Sequence, residues 1–133
     1  MKEAFADTFH FLAIANPLDK FHTQADEAAK DRSRRLVTTA FVLTEVGDGL
    51  ARLGNRELFA ELIDLLKADR NAVVIPPTQV LFDAGVSLYR ERPDKEWSLT
   101  DCISFVVMKE RGIREALTGD HHFEQAGFVA LLK

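Results

Sequence analysis

Hydrophobic positions along the chain follow two alternating patterns. Short continuous apolar runs predict strands, and apolar residues spaced three or four apart predict amphipathic helices. The predicted strands cover residues 2–6, 36–38, 72–75, 115–118 and 128–132. The predicted helices cover residues 9–15, 20–35, 40–53, 57–68, 78–90 and 99–110. Because strands and helices alternate, the pattern predicts a single α/β domain over residues 1–133 with a mainly parallel sheet.

Residues with capping and breaking preferences mark the ends of several predicted elements. Thr38 or Thr39 is placed to cap the third predicted helix, and Ser98 is placed to cap the last one. The apolar run at 72–75 contains no polar position, so we expect a fully buried strand there. The residues after 119–122 are expected to form a short turn before the final strand.

The composition is that of an ordinary globular domain, with 47% hydrophobic and 29% charged residues among 133. The single cysteine, Cys102, cannot form an internal disulfide, which fits a reducing compartment. The N-terminus shows no signal-peptide pattern, and no apolar stretch approaches the roughly 20 residues of a membrane span. We therefore expect a cytoplasmic protein that does not enter a membrane.

The net charge of −4 provides no overall basic surface for nucleic acid. A nucleic-acid partner would have to be held by local basic clusters and by bound metal. The two densest clusters are Arg32, Arg34 and Arg35, and Arg90, Arg92 and Lys95. Each cluster is typical of a solvated face, and phosphate contact is the alternative interpretation.

Four carboxylates stand at the borders of apolar segments rather than in the charged runs: Asp7, Glu45, Asp101 and Asp120. Asp7 directly follows the first predicted strand, and Asp120 follows the strand at 115–118 after one glycine. The carboxyl ends of parallel strands share one edge of a sheet, where open α/β sheets bind ligands. The helices that carry Glu45 and Asp101 can lean over the same edge. We therefore expect the four acids to converge on a hard divalent cation, Mg²⁺ or Mn²⁺.

Each acid also has an ordinary structural explanation. Asp7 could cap the first helix, Asp101 has capping-box spacing from Ser98, and Asp120 could be a turn residue. Glu45 is harder to explain in this way, because two helical glycines follow it and indicate a close approach by another group. The four explanations are independent, so all four holding together is the weaker interpretation.

An acidic cluster of this kind suits phosphodiester hydrolysis, because bound divalent metal can activate water and stabilise charge on the phosphoryl oxygens. Asp7 with Asp101 or Asp120 would ligate the metal directly, while Glu45 could bind it or orient a water. The chain has no convincing Ser-His-Asp or Cys-His arrangement for a side-chain nucleophile. The adjacent His121 and His122 lack the i, i+4 spacing of a zinc motif and are expected to point in different directions. A substrate contact or a surface role is the preferred interpretation of this pair.

Four sets of motifs lie in order along the chain: Ala-Asp-Thr at 6–8, Thr-Thr at 38–39 with Val-Leu-Thr-Glu-Val at 42–46, Leu-Thr-Asp at 99–101, and Leu-Thr-Gly-Asp-His-His-Phe at 117–123. With these motifs in this order, the chain resembles a PIN domain, in particular the VapC-type toxin ribonucleases. The resemblance implies an α/β/α sandwich with a short parallel sheet. It also implies a ribonuclease specific for single-stranded RNA that uses Mg²⁺ or Mn²⁺. Asp7, Glu45, Asp101 and Asp120 would be its acidic quartet, with Thr8 and Thr118 as hydroxyl neighbours.

The resemblance further implies a toxin restrained by a small antitoxin, whose tail could place an arginine among the carboxylates. A homodimer is expected through the helix at 57–68 or the helix at 78–90. Asp48 departs from the family pattern, since relatives often carry a polar amide at that position. It could add negative charge to the site or simply be solvated.

Two other classes of protein are compatible with acids around a metal. A Mg²⁺-dependent phosphoryl-transfer module, either a receiver domain or a haloacid-dehalogenase-type phosphatase, also places acids at strand ends. The phosphatase needs a second Asp two residues after Asp7, where this chain has Phe9, and residues 75–76 offer no phosphoacceptor for a receiver. A non-catalytic PIN-like interaction module is the third possibility, but such a module is expected to have lost some of the acids.

Overall fold

Five short strands build one parallel sheet in the computed structural model, which describes residues 1–52 and 54–133. The strands are β1 (Lys2–Ala6), β2 (Arg34–Thr39), β3 (Ala72–Ile75), β4 (Glu115–Leu117) and β5 (Val129–Ala130). In the described residues the sheet is flanked by seven helices, α1 (Thr8–Ala15), α2 (His22–Lys30), α3 (Ala40–Gly49), α4 (Arg56–Ala68), α5 (Gln79–Glu91), α6 (Leu99–Arg111) and α7 (His121–Gln125). The predicted α/β fold with a parallel sheet is confirmed.

The sheet has the order β3-β2-β1-β4-β5, with β1 at its centre. Phe5 of β1 lies beside Val37 of β2, and Ala6 of β1 lies beside Leu117 of β4. The chain first builds outward from β1 to β3 and then crosses to the opposite side for β4 and β5. The strand order therefore reverses between β1 and β4, which is where open parallel sheets form a ligand crevice.

Hydroxyl and carboxyl side chains fix the beginnings of three helices, two of which the sequence predicts to be capped. The Thr39 hydroxyl accepts a hydrogen bond from the Val42 backbone N–H at the start of α3. Thr78 caps α5 in the same way. Ser98 and Asp101 form a reciprocal capping box at the start of α6, each side chain accepting from the other residue's backbone N–H.

Two predicted helices are shorter in the structure than the pattern indicates. The helix predicted at 20–35 ends at Lys30, because the Asp31 carboxylate accepts from the backbone N–H and the hydroxyl of Ser33 and turns the chain into β2. The helix predicted at 40–53 ends at Gly49, and its predicted last residue, Leu53, lies outside the described residues.

Three further segments differ from their prediction. The strand at 72–75 is expected to be fully buried, but β3 is an edge strand and is only partly buried. An apolar run does not reveal whether a strand has one neighbouring strand or two. The expected turn after 119–122 is the short helix α7, which is too brief to show a helical period. The final strand shortens to Val129–Ala130. No helix of the described residues is long and apolar enough to cross a membrane.

Candidate functional site

Asp7 and Asp120 follow the two strands between which the strand order reverses. Asp7 directly follows β1, and its backbone N–H donates to the Leu117 carbonyl of β4 at 3.4 Å. Its side chain is buried, with 5% of the residue exposed. Asp120 lies three residues beyond the end of β4 and is partly buried. Both carboxylates therefore lie at the carboxyl edge of the sheet.

Two helices bring the remaining acids to this edge. Glu45 lies on α3, and its Oε1 atom accepts a hydrogen bond of 2.5 Å from the Thr8 hydroxyl next to Asp7. Asp101 lies buried in the first turn of α6. The negative charges of Asp101 and Asp120 both raise the pKa of Asp7, as expected of neighbouring carboxylates. The structure thus brings all four acids named from the sequence to one edge of the sheet.

Threonine hydroxyls hold the ends of the central strands in place around these acids. The Thr118 hydroxyl donates to Asp7 Oδ2 at 2.9 Å and accepts from the Asp120 backbone N–H at 3.1 Å. It therefore connects the two acids that follow β1 and β4. Thr38, which the sequence indicated only as a possible helix cap, donates instead to the Ala6 carbonyl at 2.8 Å.

The acidic cluster carries negative charge that no lysine or arginine among the described residues balances. Burial, followed by the charge of Asp101, raises the pKa of Asp7 to about 7, against the hydrogen bond from Thr118. Burial is also the largest cause that raises the pKa of Asp101, and the charge of Asp120 adds to it. Among the described residues, no lysine or arginine forms an ion pair with any of the four acids. A set of carboxylate oxygens, two of them on buried residues and none paired to lysine or arginine, is a donor set that fits a hard divalent cation.

The structural explanations of the acids hold for two of them. Asp101 caps α6, and the Asp120 carboxylate caps α7 by accepting from the His122 backbone N–H at 2.9 Å. Asp7 precedes α1 but accepts no capping hydrogen bond from the described backbone of that helix. Helix capping therefore does not explain why Asp7 is buried among other acids.

The glycines after Glu45 have a packing explanation. A Cβ atom on Gly47 would lie 3.2 Å from the Phe59 ring, and one on Gly49 would lie 3.3 Å from the Leu12 side chain. The close approach predicted from these glycines is thus made by core side chains from α4 and α1. Asp48, between the two glycines, is exposed.

The expectation that His121 and His122 point in different directions is wrong. Their Nδ1 atoms lie 3.6 Å and 3.4 Å from the same oxygen, Asp120 Oδ1. The reason is that both residues occupy the first turn of α7, directly after its capping residue Asp120. His122 Nδ1 also lies 3.3 Å from Asp101 Oδ2. Sequence reasoning missed this neighbour of the acids, and the only available signal was its position two residues after Asp120.

The first basic cluster lies away from the acidic edge. Arg34 and Arg35 begin β2, at the end of the strand opposite to the acids. Arg34 pairs with Asp31 at 3.2 Å, and the Arg32 guanidinium makes two hydrogen bonds to Asp69. These pairings support the interpretation of this cluster as a solvated face.

The second basic cluster lies near the start of α6, the helix that carries Asp101. Arg90, Arg92 and Lys95 line a cavity of about 1020 Å³ together with Trp97 and Ser98. Arg92 pairs with Asp94 and lies over the Trp97 ring at 5.1 Å. Arg90 is exposed, so its charge is available to a ligand in this cavity.

Comparison with known proteins gives consistent matches over almost the whole chain. The family model described as "PIN domain" matches residues 4–129. The proteins named "23S rRNA-specific endonuclease VapC20" from two strains of Mycobacterium tuberculosis are 30% identical over 129 residues, which cover 94% of this chain and 95% of theirs. The crystal structure of M. tuberculosis VapC20, described as a sarcin-ricin loop cleaving toxin, superimposes with a TM-score of 0.83 at 26% identity and covers 95% of this chain and 96% of that one.

Two more distant structures share the fold alone. Rickettsia felis VapBC2, crystallised with a DNA fragment from its promoter, matches with a TM-score of 0.67 at 12% identity and covers 96% of both chains. FitAcB from Neisseria gonorrhoeae matches with a TM-score of 0.63 at 17% identity and covers 96% of this chain and 94% of that one. From the family model, the VapC20 relatives and the acids at the carboxyl edge of the sheet, it follows that this chain belongs to the PIN domain family.

Proposed function

We propose that residues 1–133 form one nuclease domain, a Mg²⁺- or Mn²⁺-dependent endoribonuclease that hydrolyses single-stranded RNA. The observation that carries the proposal is the burial of Asp7 beside Asp101 and Asp120, with no lysine or arginine paired to any of the three among the described residues. The relatives named as VapC20 are rRNA-specific endonucleases, which supports RNA as the substrate class. A ribonuclease that acts on cellular RNA would work in the cytoplasm, and we propose that location for this protein.

The four acids divide into ligands and a water-orienting group in this proposal. A bound divalent cation would supply an activated water and neutralise charge on the phosphoryl group. Asp7, Asp101 and Asp120 would hold the cation, and the Thr118 hydroxyl fixes Asp7 in position. Glu45 is exposed and is held by the Thr8 hydroxyl, so it can bind the metal or accept a proton from the attacking water.

The RNA strand would reach the acids along the cavity beside α6. The exposed Arg90 and the partly buried Lys95 can contact phosphates there, and the exposed Tyr89 ring can stack on a base. We expect Arg90→Ala to weaken RNA binding and to reduce its salt dependence, because one phosphate contact is lost. Lys67→Ala, on α4, is the control. An unchanged affinity and salt slope in Arg90→Ala would mean that RNA takes another path.

Cleavage of single-stranded RNA in Mg²⁺, Mn²⁺ or EDTA tests the activity. We expect Asp7→Asn and Asp101→Asn to lower the rate about 100-fold or more, because each removes a charged ligand but keeps the size of the side chain. Asp64→Asn, an exposed change on α4, should leave the rate unchanged. Wild-type cleavage that persists in EDTA, or full activity in both site variants, would refute the proposed site.

Neither alternative class of protein gains support from the structure. A receiver-like sheet has the order 2-1-3-4-5, whereas this sheet has β3-β2-β1-β4-β5. The PIN match also replaces the phosphatase interpretation. A non-catalytic interaction module would keep the fold but show no metal-dependent cleavage, so the RNA assay separates it from the nuclease.

We also propose that the chain is the toxin of a type II toxin–antitoxin pair and forms a homodimer. An antitoxin arginine would supply the cation that the carboxylates lack and would thereby block the site. Helix α4 has no buried residue, and Leu65 on it is 69% exposed, while Val80 at the start of α5 is 81% exposed. Apolar surface on either helix could form the dimer interface. Sedimentation that shows only monomer at micromolar concentration would remove the dimer.

A further inference from the structure

The two histidines that follow Asp120 are fixed by the local structure of the loop. Thr118 accepts the Asp120 backbone N–H, and Asp120 in turn accepts the His122 backbone N–H. A Cβ atom on Gly119 would lie 3.0 Å from the Leu132 carbonyl oxygen, so the loop packs closely against the end of the sheet. Asp120, His121 and His122 therefore project from one rigid turn rather than from a free loop.

The potential ligand atoms of this turn lie close together. One oxygen or nitrogen from each of Asp120, His121 and His122 lies within 4.8 Å of the other two, and within the described chain no other group of three or more potential ligands meets this criterion. The two Nδ1 atoms lie 3.6 Å and 3.4 Å from Asp120 Oδ1. His122 Nδ1 is also 3.3 Å from Asp101 Oδ2. These separations are longer than the roughly 2.7–3.2 Å of an N–H···O hydrogen bond.

The same separations match those of ligands around one tetrahedral ion. Ligand atoms that are each about 2.0–2.2 Å from a tetrahedral metal are about 3.3–3.6 Å from one another. Both Asp120 Oδ1 and Asp101 Oδ2 accept a backbone N–H, which leaves each oxygen a second lone pair for another contact. The turn therefore places two imidazole nitrogens at tetrahedral ligand spacing from Asp120 Oδ1, and water or Asp101 would occupy the fourth position.

We propose that Asp120, His121 and His122 form a binding site for a transition-metal ion of the Zn²⁺ or Co²⁺ class. This site shares Asp120 with the proposed Mg²⁺ position and differs from it by its two imidazole ligands. Imidazole nitrogen suits Zn²⁺ and its neighbours, whereas Mg²⁺ prefers oxygen and keeps its waters. His121 is 67% exposed at its side chain, so the ion can reach the site from solvent. Metal binding here does not depend on RNA cleavage and can be tested without RNA.

Titration of the metal-free chain with Co²⁺ in excess Mg²⁺ tests the site directly. We expect one Co²⁺ to bind with the strong visible absorption of tetrahedral coordination, and Zn²⁺ to displace it in calorimetry. His121→Ala should weaken Co²⁺ binding at least about tenfold, because a ligand is lost from a three-ligand set. His122→Ala should do the same, and its thermal unfolding shows whether the variant is folded.

Two controls separate this site from other metal positions. His22→Ala removes a histidine on α2 that contacts the Ala13 carbonyl, and it should leave Co²⁺ binding unchanged. Asp7→Asn alters the carboxylate cluster and should also keep the Co²⁺ absorption. The proposal is overturned if the wild type binds no Co²⁺, if His121→Ala binds it as tightly as the wild type, or if Asp7→Asn abolishes binding.

Discussion

Replacing Asp7 by Asn should stabilise the metal-free protein above pH 7. The pKa of Asp7 is raised from 3.8 to about 7, so the folded state holds a proton that the unfolded chain releases. Between pH 3.8 and about pH 7, the free energy of unfolding therefore falls as pH rises. Above about pH 7 it stays lower by the full amount that ionising buried Asp7 costs. The difference between a pKa of 3.8 and a pKa of about 7 corresponds to roughly 4 kcal/mol of folding stability. Asn has no proton to lose and can still accept the Thr118 hydroxyl, so the variant avoids this cost.

Urea unfolding at pH 4 and pH 8, both in EDTA, measures the effect. We expect the two proteins to be similarly stable at pH 4 and the variant to be more stable by up to about 4 kcal/mol at pH 8. Mg²⁺ at pH 8 should narrow the gap, because the cation binds the folded wild type and neutralises the cluster. The exposed change Asp64→Asn should shift stability by less than about 0.5 kcal/mol. A variant no more stable than the wild type at pH 8 in EDTA would refute the reasoning.

Three further predictions concern His10 and two closely packed glycines. Burial lowers the pKa of His10 to about 4, because the charged imidazole would be buried. The stability of the wild type should therefore fall by about 3 kcal/mol as pH drops from 6.5 to 4. Urea unfolding of His10→Phe over the same pH range should show no such loss. Gly85→Ala should destabilise the fold by about 1–3 kcal/mol in thermal unfolding, because the new Cβ would lie 2.3 Å from Ile103 Cγ1; an unchanged melting temperature would contradict this packing. Gly119→Ala would place a Cβ 2.5 Å from the Phe9 ring, and it should lower the rate of RNA cleavage by displacing Asp120, whereas normal kinetics would show that the loop adapts.

The sequence predicts the carboxyl ends of β1 and β4 to within one residue, because a buried strand must leave its apolar run at a definite residue. Asp7 and Asp120 could therefore be placed at the sheet edge before any coordinates were known. The family resemblance named Thr118 as a hydroxyl neighbour of the acids, but the apolar pattern alone gave no sign of its hydrogen bond to Asp7. Thr118 and Asp7 are 111 residues apart and meet only through the pairing of β1 with β4. The burial of Asp7, and with it the shift of its pKa, depends on that same pairing.

The sequence did not predict the structure of short elements and of the sheet edge correctly. Helix α7 has five residues, too few for a helical period, so the common direction of the His121 and His122 rings had no signal in the sequence. Strand β3 is apolar although it lies at the edge of the sheet. Apolar residues in a strand indicate packing against helices, and they do not indicate how many strands pair with it.

The capping box at the start of α6 limits which residues can occupy position 101. One oxygen of Asp101 accepts the Ser98 backbone N–H, which leaves the other oxygen available to a cation without unwinding the helix. Asparagine would keep the cap but lose the charge, and glutamate would keep the charge on a longer and more flexible arm. For a residue that both caps α6 and serves as the proposed metal ligand, aspartate meets both demands, so we expect neither asparagine nor glutamate at position 101 to keep full activity.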